Sequence, residues 1–177
     1  MATRGRSPRL LRAPWRSPYV RGQTGERHEE TCGLCALAAL EPAQFRDAGV
    51  LVQSQQCIVA LNRYPYQAGH LLILPRKHLG RFQDLPEACR QEMDAWMVRA
   101  MNALEGGLGS QGINVGLNQG RAAGAGIADH LHWHLVPRWE GDHNFMPVLG
   151  ETFVLPEDPA RTFDDLVPWF TAEGEDS

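Results

Sequence analysis

No apolar run in this sequence approaches the roughly 20 residues that a membrane-spanning helix requires, so the chain contains no candidate transmembrane segment. Its first residues also lack the apolar stretch that directs secretion, and a cytoplasmic setting is expected. Lysine is nearly missing: Lys77 stands alone, and arginine supplies the rest of the 17 basic residues. Against 21 acidic residues the net charge is −4, a balance that argues against nucleic acid or an anionic membrane surface as the main partner. No internal repeat is visible, which favours one unrepeated unit over an array.

One stretch departs from this average. Residues 1–22 are rich in arginine and free of acids, the composition of a transit peptide or a nucleic-acid arm. We read residues 1–25 as an extension ordered only around 13–20, where Trp15, Tyr19 and two prolines suit docking onto a body. Residues 26–150 then form the main domain, large enough to bury a core, and 151–177 a C-terminal extension.

Cysteine is also scarce. Cys57 falls in an expected strand and Cys89 in an expected helix, where both read as small buried hydrophobes. Cys32 and Cys35 form a C-x-x-C. With no secretory signal a disulfide framework is disfavoured, which leaves metal ligation or a redox pair.

The pattern of elements is mixed. "TCGLCALAAL" reads as a loop entering a short helix capped by Thr31. "VLVQSQ", "QCIVALN", "HLLILPRKH" (ending at Pro75) and "INVGLNQ" read as strands. Between the last two lies one long helix over 84–107. Asp84 is its expected cap, Pro86 and Glu87 fit its first turn, and Met93, Trp96, Met97, Ala100, Met101 and Leu104 recur at helical spacing. Gly106 and Gly107 are expected to stop it, and "FDDLVPWF" suits a short helix. Strands, one helix and more strands predict an α+β domain, an antiparallel sheet with a long helix packed on it.

The chemistry concentrates in "HLHWHLVPRW", residues 130–139. Side chains alternate along a strand, so His130, His132 and His134 share one face and Leu131, Trp133 and Leu135 the other. Just before them, Ala123, Gly124, Ala125 and Gly126 are small enough to let backbone N–H groups approach an anion such as phosphate. An imidazole beside a cradled phosphate is a competent nucleophile near neutral pH, provided its second nitrogen donates to a fixed acceptor. A metal-hydroxide hydrolase with zinc on the histidines is the competing reading.

"HLHWHLV" matches the alternating signature of the histidine triad superfamily of nucleotidyl hydrolases and transferases. "LNRYPYQAGHLLILPRKH", the following helix and "NQGRAAGAG" are similar to that family in order and spacing. "LRAPWRSPYV" and "PRWEGDHNF" resemble its bacterial diadenosine tetraphosphate phosphorylase branch. The resemblance implies an HIT-like fold, a homodimer, and attack by His132 on the α-phosphorus of an adenosine polyphosphate. The His130 carbonyl would orient His132, and His134 would help the leaving group depart. Inorganic phosphate or water would then release the nucleotide.

The same resemblance implies a structural zinc on Cys32, Cys35, His78 and His130. It places Asn62 against ribose and Asn118, Gly124, Ala125 and Gly126 against phosphate. Trp139 and Asn144 are expected near nucleotide, with Trp15 and Trp139 also suited to a dimer contact. His70 reads as a core or turn histidine and His143 as a residue close to phosphate. One departure stands out: relatives carry a Ser or Thr where this chain has Gly126. That loss motivates a different-class reading, a nucleotide-binding module with negligible turnover. Within the enzyme class, a water-using hydrolase or nucleoside phosphoramidase is the alternative.

Overall fold

The structure, a computed structural model, describes residues 32–142 and 158–171. Thr31, Trp15, His143 and Asn144 lie outside the described residues. The elements in chain order are α1 (Gly33–Ala38), α2 (Phe45–Ala48), β1 (Val50–Gln53), β2 (Cys57–Leu61), β3 (Leu71–Pro75), α3 (Glu87–Leu108), β4 (Gly112–Leu117), β5 (Trp133–Arg138), α4 (Pro159–Leu166) and α5 (Pro168–Thr171). The strands form one antiparallel sheet in the order β1-β2-β3-β5-β4. The expected α+β architecture is therefore present. No helix among the described residues is long and apolar enough to cross a membrane.

Both faces of the sheet are covered, which is why β2 and β3 are apolar at nearly every position. Val59, Leu71, Ile73 and Leu135 pack on one face against Met93, Ala100 and Leu104 of α3 and against Phe163, Leu166 and Phe170 of α4 and α5. Ile58, Ala60, Leu72 and Leu74 pack on the other against Cys32 and Leu34 at the start of α1. His134 pairs with Leu72 in the ladder, so the triad strand turns its histidines away from α3.

Two expectations for the long helix are corrected. Asp84 does not cap it: it ends a short 3-10 turn (Phe82–Asp84), and Pro86, whose ring fits the first-turn geometry, occupies the cap position. Nor do Gly106 and Gly107 stop it. The helix runs through both to Leu108 and ends at Gly109, whose φ of 62° is the left-handed conformation of a helix C-cap. Gly106 and Gly107 are small for another reason: the Trp169 ring lies so close that a Cβ at Gly106 would overlap it. At the N-terminal end, Cys32 occupies the α1 cap position.

Candidate active site

The triad segment starts before its strand. Only Trp133–Arg138 joins the ladder, whereas His130–His132 are docked against the turn after β3. Leu131 N–H donates to the Leu79 carbonyl at 2.7 Å. Gly80 permits the approach, because a Cβ there would stand 2.8 Å from the Ala128 carbonyl oxygen. This docking sends the three histidines to different tasks, although sequence alternation had put all three on one site.

His130 turns its ring into a cluster with the cysteines. It is fully buried, and its Nε2–H donates to the Pro75 carbonyl at 2.8 Å. Its Nδ1 lies 3.5 Å from Cys32 Sγ and 3.3 Å from Cys35 Sγ, while His78 Nδ1 lies 3.1 Å from Cys35 Sγ. All four donor atoms fall within 4.8 Å of one another. Ligand atoms around a tetrahedral S2N2 metal stand roughly 3.3–3.8 Å apart, so the donor set fits such a centre. The proton on His130 Nε2 leaves Nδ1 with its lone pair toward the sulfurs, the orientation that a second-shell carbonyl imposes on a metal-ligating imidazole.

The His130 main chain serves its neighbour. Its carbonyl accepts a 2.8 Å hydrogen bond from His132 Nδ1–H. That bond fixes the tautomer and leaves the lone pair on His132 Nε2. His132 is 7% exposed, and burial holds its pKa below the ordinary imidazole value, opposed by the bond to His130. A buried, neutral, oriented imidazole is the form required of a nucleophile.

His134 packs edge-on against His132, ring centroids 4.8 Å apart. Its Nδ1 lies 3.0 Å from Nε2 of His70. His70 Nδ1 in turn accepts from Tyr66 N–H at 3.1 Å and from the Asn62 amide at 3.3 Å. Two donors on Nδ1 assign the His70 proton to Nε2, which donates to His134. His134 therefore carries its own proton on Nε2, as a donor. Burial is the main cause that lowers His70 to about 3 and His134 to about 4; the neighbouring imidazoles lower both further. His70, which sequence reasoning left among ordinary core or turn histidines, is tied to the triad by its bond to His134. A fully buried polar side chain opening an otherwise apolar strand was the available signal, since such a group needs a partner.

The other expected site residues are distributed unevenly. Asn62 sits in the turn after β2, where its Oδ1 accepts from Tyr64 N–H at 3.0 Å. Asn118 follows β4, one residue beyond the Leu117–Trp133 pair that ends the ladder. Gly124 adopts a φ of 86°, and Ala125 N–H donates to the Gly120 carbonyl at 3.4 Å, curling the small-residue loop before the triad. Trp139 lies beyond the far end of β5, roughly 20 Å along the strand from His132. Its indole N–H donates to the Gly109 carbonyl at 3.0 Å. Within one chain the fold does not bring it to the histidines.

Residues 44–141 match the HIT domain. The chain belongs to the HIT family. That family comprises nucleotide hydrolases and transferases, and the chain is an enzyme of that class. This HIT protein is 34% identical over 149 residues to an AP-4-A phosphorylase of Mycobacterium tuberculosis, covering 83% of this chain and 76% of that one. It is 33% identical over 141 residues to an adenylylsulfatase of Arabidopsis thaliana, covering 73% and 69% of the two chains. Among solved structures it superposes on a Zn-bound histidine triad family protein from Mycobacterium smegmatis with a TM-score of 0.63 at 26% identity, covering 80% of this chain and 94% of that one.

Proposed function

We propose that this HIT enzyme cleaves dinucleoside polyphosphates of the diadenosine tetraphosphate type at an α-phosphate, through a nucleotidyl intermediate on His132, with inorganic phosphate as acceptor. The observation that carries the reading is the 2.8 Å bond from His132 Nδ1–H to the His130 carbonyl, which aims the Nε2 lone pair for attack. The similarity to an AP-4-A phosphorylase supports the substrate class.

In the first step a bond forms between His132 Nε2 and the α-phosphorus, and the bond from that phosphorus to the bridging oxygen breaks. His134 Nε2–H donates to the departing oxygen. In the second step a phosphate oxygen attacks and the N–P bond breaks, so diadenosine tetraphosphate plus phosphate yields ADP and ATP. The small residues Gly124, Ala125 and Gly126 let the phosphate approach the loop, where the Gly126 backbone N–H and the Asn118 amide donate to its oxygens; the Asn62 amide meets ribose. Trp139, distant from the histidines of its own chain, meets nucleotide across the two-fold axis of a homodimer, and Asn144 is a further nucleotide residue of the proposed site.

Cys32, Cys35, His78 and His130 would hold zinc. Four protein ligands would leave such an ion no open position, so it would staple the fold and supply no substrate chemistry. The enzyme acts in the cytoplasm.

The test is incubation with diadenosine tetraphosphate, with and without phosphate, followed by chromatography. ADP plus ATP only when phosphate is present is the expected result. AMP plus ATP regardless of phosphate makes the enzyme a hydrolase. Bound nucleotide without turnover favours a binding module, the reading that the missing hydroxyl at Gly126 supports.

A further inference from the structure

The half-exposed ring of Tyr66 stands against the two histidines on the leaving-group side. It lies 5.9 Å from the His134 ring at an interplanar angle of 26°, and 4.7 Å from the His70 ring at 37°. The same residue's backbone N–H donates to His70 Nδ1. Tyr66 therefore touches both members of the His70–His134 pair, one through its main chain and both through its ring.

Three features set this ring apart from core packing. It is 51% exposed, too open to be held by burial alone. It belongs to neither buried cluster of the sheet. Its hydroxyl makes no hydrogen bond among the described residues, so the aromatic face is what the site uses. Two residues earlier, Tyr64 is 77% exposed, and its only ring contact among the described residues is with Arg63. The loop thus offers one aromatic that touches the histidines and one that does not.

An imidazole on a single hydrogen bond can still rotate about χ2, a broad torsion. Rotation would break the bond from His70 and release the tautomer. A parallel aromatic face opposes that rotation, because offset stacking is favourable only while the two planes stay nearly aligned. We propose that Tyr66 is a positioning residue for the leaving-group step: its ring locks the His134 imidazole plane, so that His134 stays bonded to His70 and keeps its Nε2–H directed at the departing oxygen. The assignment of that step rests on the function proposed above; the locking itself does not.

The experiment compares Tyr66→Phe, Tyr66→Ala and the control Tyr64→Ala by two readouts. The first is turnover of diadenosine tetraphosphate and of adenosine 5′-phosphoramidate, whose amine leaving group depends more on a proton. Tyr66→Ala should lower kcat by about 10-fold to 100-fold with KM changed far less, and more severely for the phosphoramidate. Tyr66→Phe and Tyr64→Ala should stay near wild type. The second readout is imidazole 15N NMR, which reports tautomers without any substrate. His134 should be a single Nε2–H tautomer in wild type and Tyr66→Phe, and a mixture in Tyr66→Ala. An unchanged His134 spectrum in Tyr66→Ala overturns the proposal, as does equal loss of kcat in the Phe and Ala variants. If wild type turns over neither substrate while the spectra change as expected, the proposed function fails and the locking role stands.

Discussion

His70 and His134 are joined by one hydrogen bond of 3.0 Å across 64 positions of sequence, and neither ring has a carboxylate partner in the described bonds. The pair is built from neutral imidazoles, each keeping the other in one tautomer.

That neutrality sets a pH dependence. In the unfolded chain both imidazoles take up a proton near pH 6.5. In the folded protein they resist until about 3 and about 4, chiefly through burial. The unfolded state therefore binds more protons between these limits, and the contribution to stability is complete above about pH 7 and lost as pH falls toward 3. Thermal melts from pH 7.5 to 4 should show a falling Tm, with a shallower slope in His70→Asn. Parallel slopes would remove this pair as the cause.

The four-donor cluster makes a separate prediction. Elemental analysis should find about one zinc per chain, absent from Cys35→Ser, whose Tm should fall by roughly 5–15 °C. His132→Ala should retain the metal, because His132 is not among the four donors. Loss of metal in His132→Ala would revive a catalytic zinc on the triad.

Gly126 is open to replacement. A Cβ there meets nothing within 4 Å, and its φ is outside the left-handed range. Gly126→Ser should fold with unchanged Tm. In the proposed reaction it restores a hydroxyl beside the phosphate, and kcat/KM should rise by about tenfold, the value of one hydrogen bond to a charged group. Gly124→Ser, at a φ of 86°, should instead cost about 1–2 kcal/mol of stability. Equal effects at the two positions would contradict this account of the loop.

Gly106 behaves differently again. Gly106→Ala improves helix propensity yet drives a methyl group into the Trp169 ring. Urea unfolding should register a net loss of about 1–3 kcal/mol, reduced when Trp169 is also replaced by Ala. A stabilised single variant would show that the indole moves aside freely.

Most of the architecture was legible because apolar periodicity is local. Leu71, Ile73 and Leu135 on one side and Leu72 and Leu74 on the other follow from alternation and apolar runs alone. What was not legible depended on residues distant in sequence. Gly106 and Gly107 look like a helix stop until Trp169 is seen above them. His70 looks like a core histidine until His134 is placed beside it. The split of His130 from the other two triad residues was expected from the family resemblance, not from strand alternation; its physical cause lies in Leu79 and Gly80, which receive the segment before its strand begins.

His130 has one further consequence. Its ring belongs with cysteines that lie up to 98 positions upstream, while its carbonyl holds His132, the proposed nucleophile, two residues on. The triad is therefore not a portable cassette. Grafting residues 130–135 onto another sheet would transfer three imidazoles but not the anchor that orients the middle one. A redesign has to carry Cys32, Cys35 and His78 with them, as one inheritance.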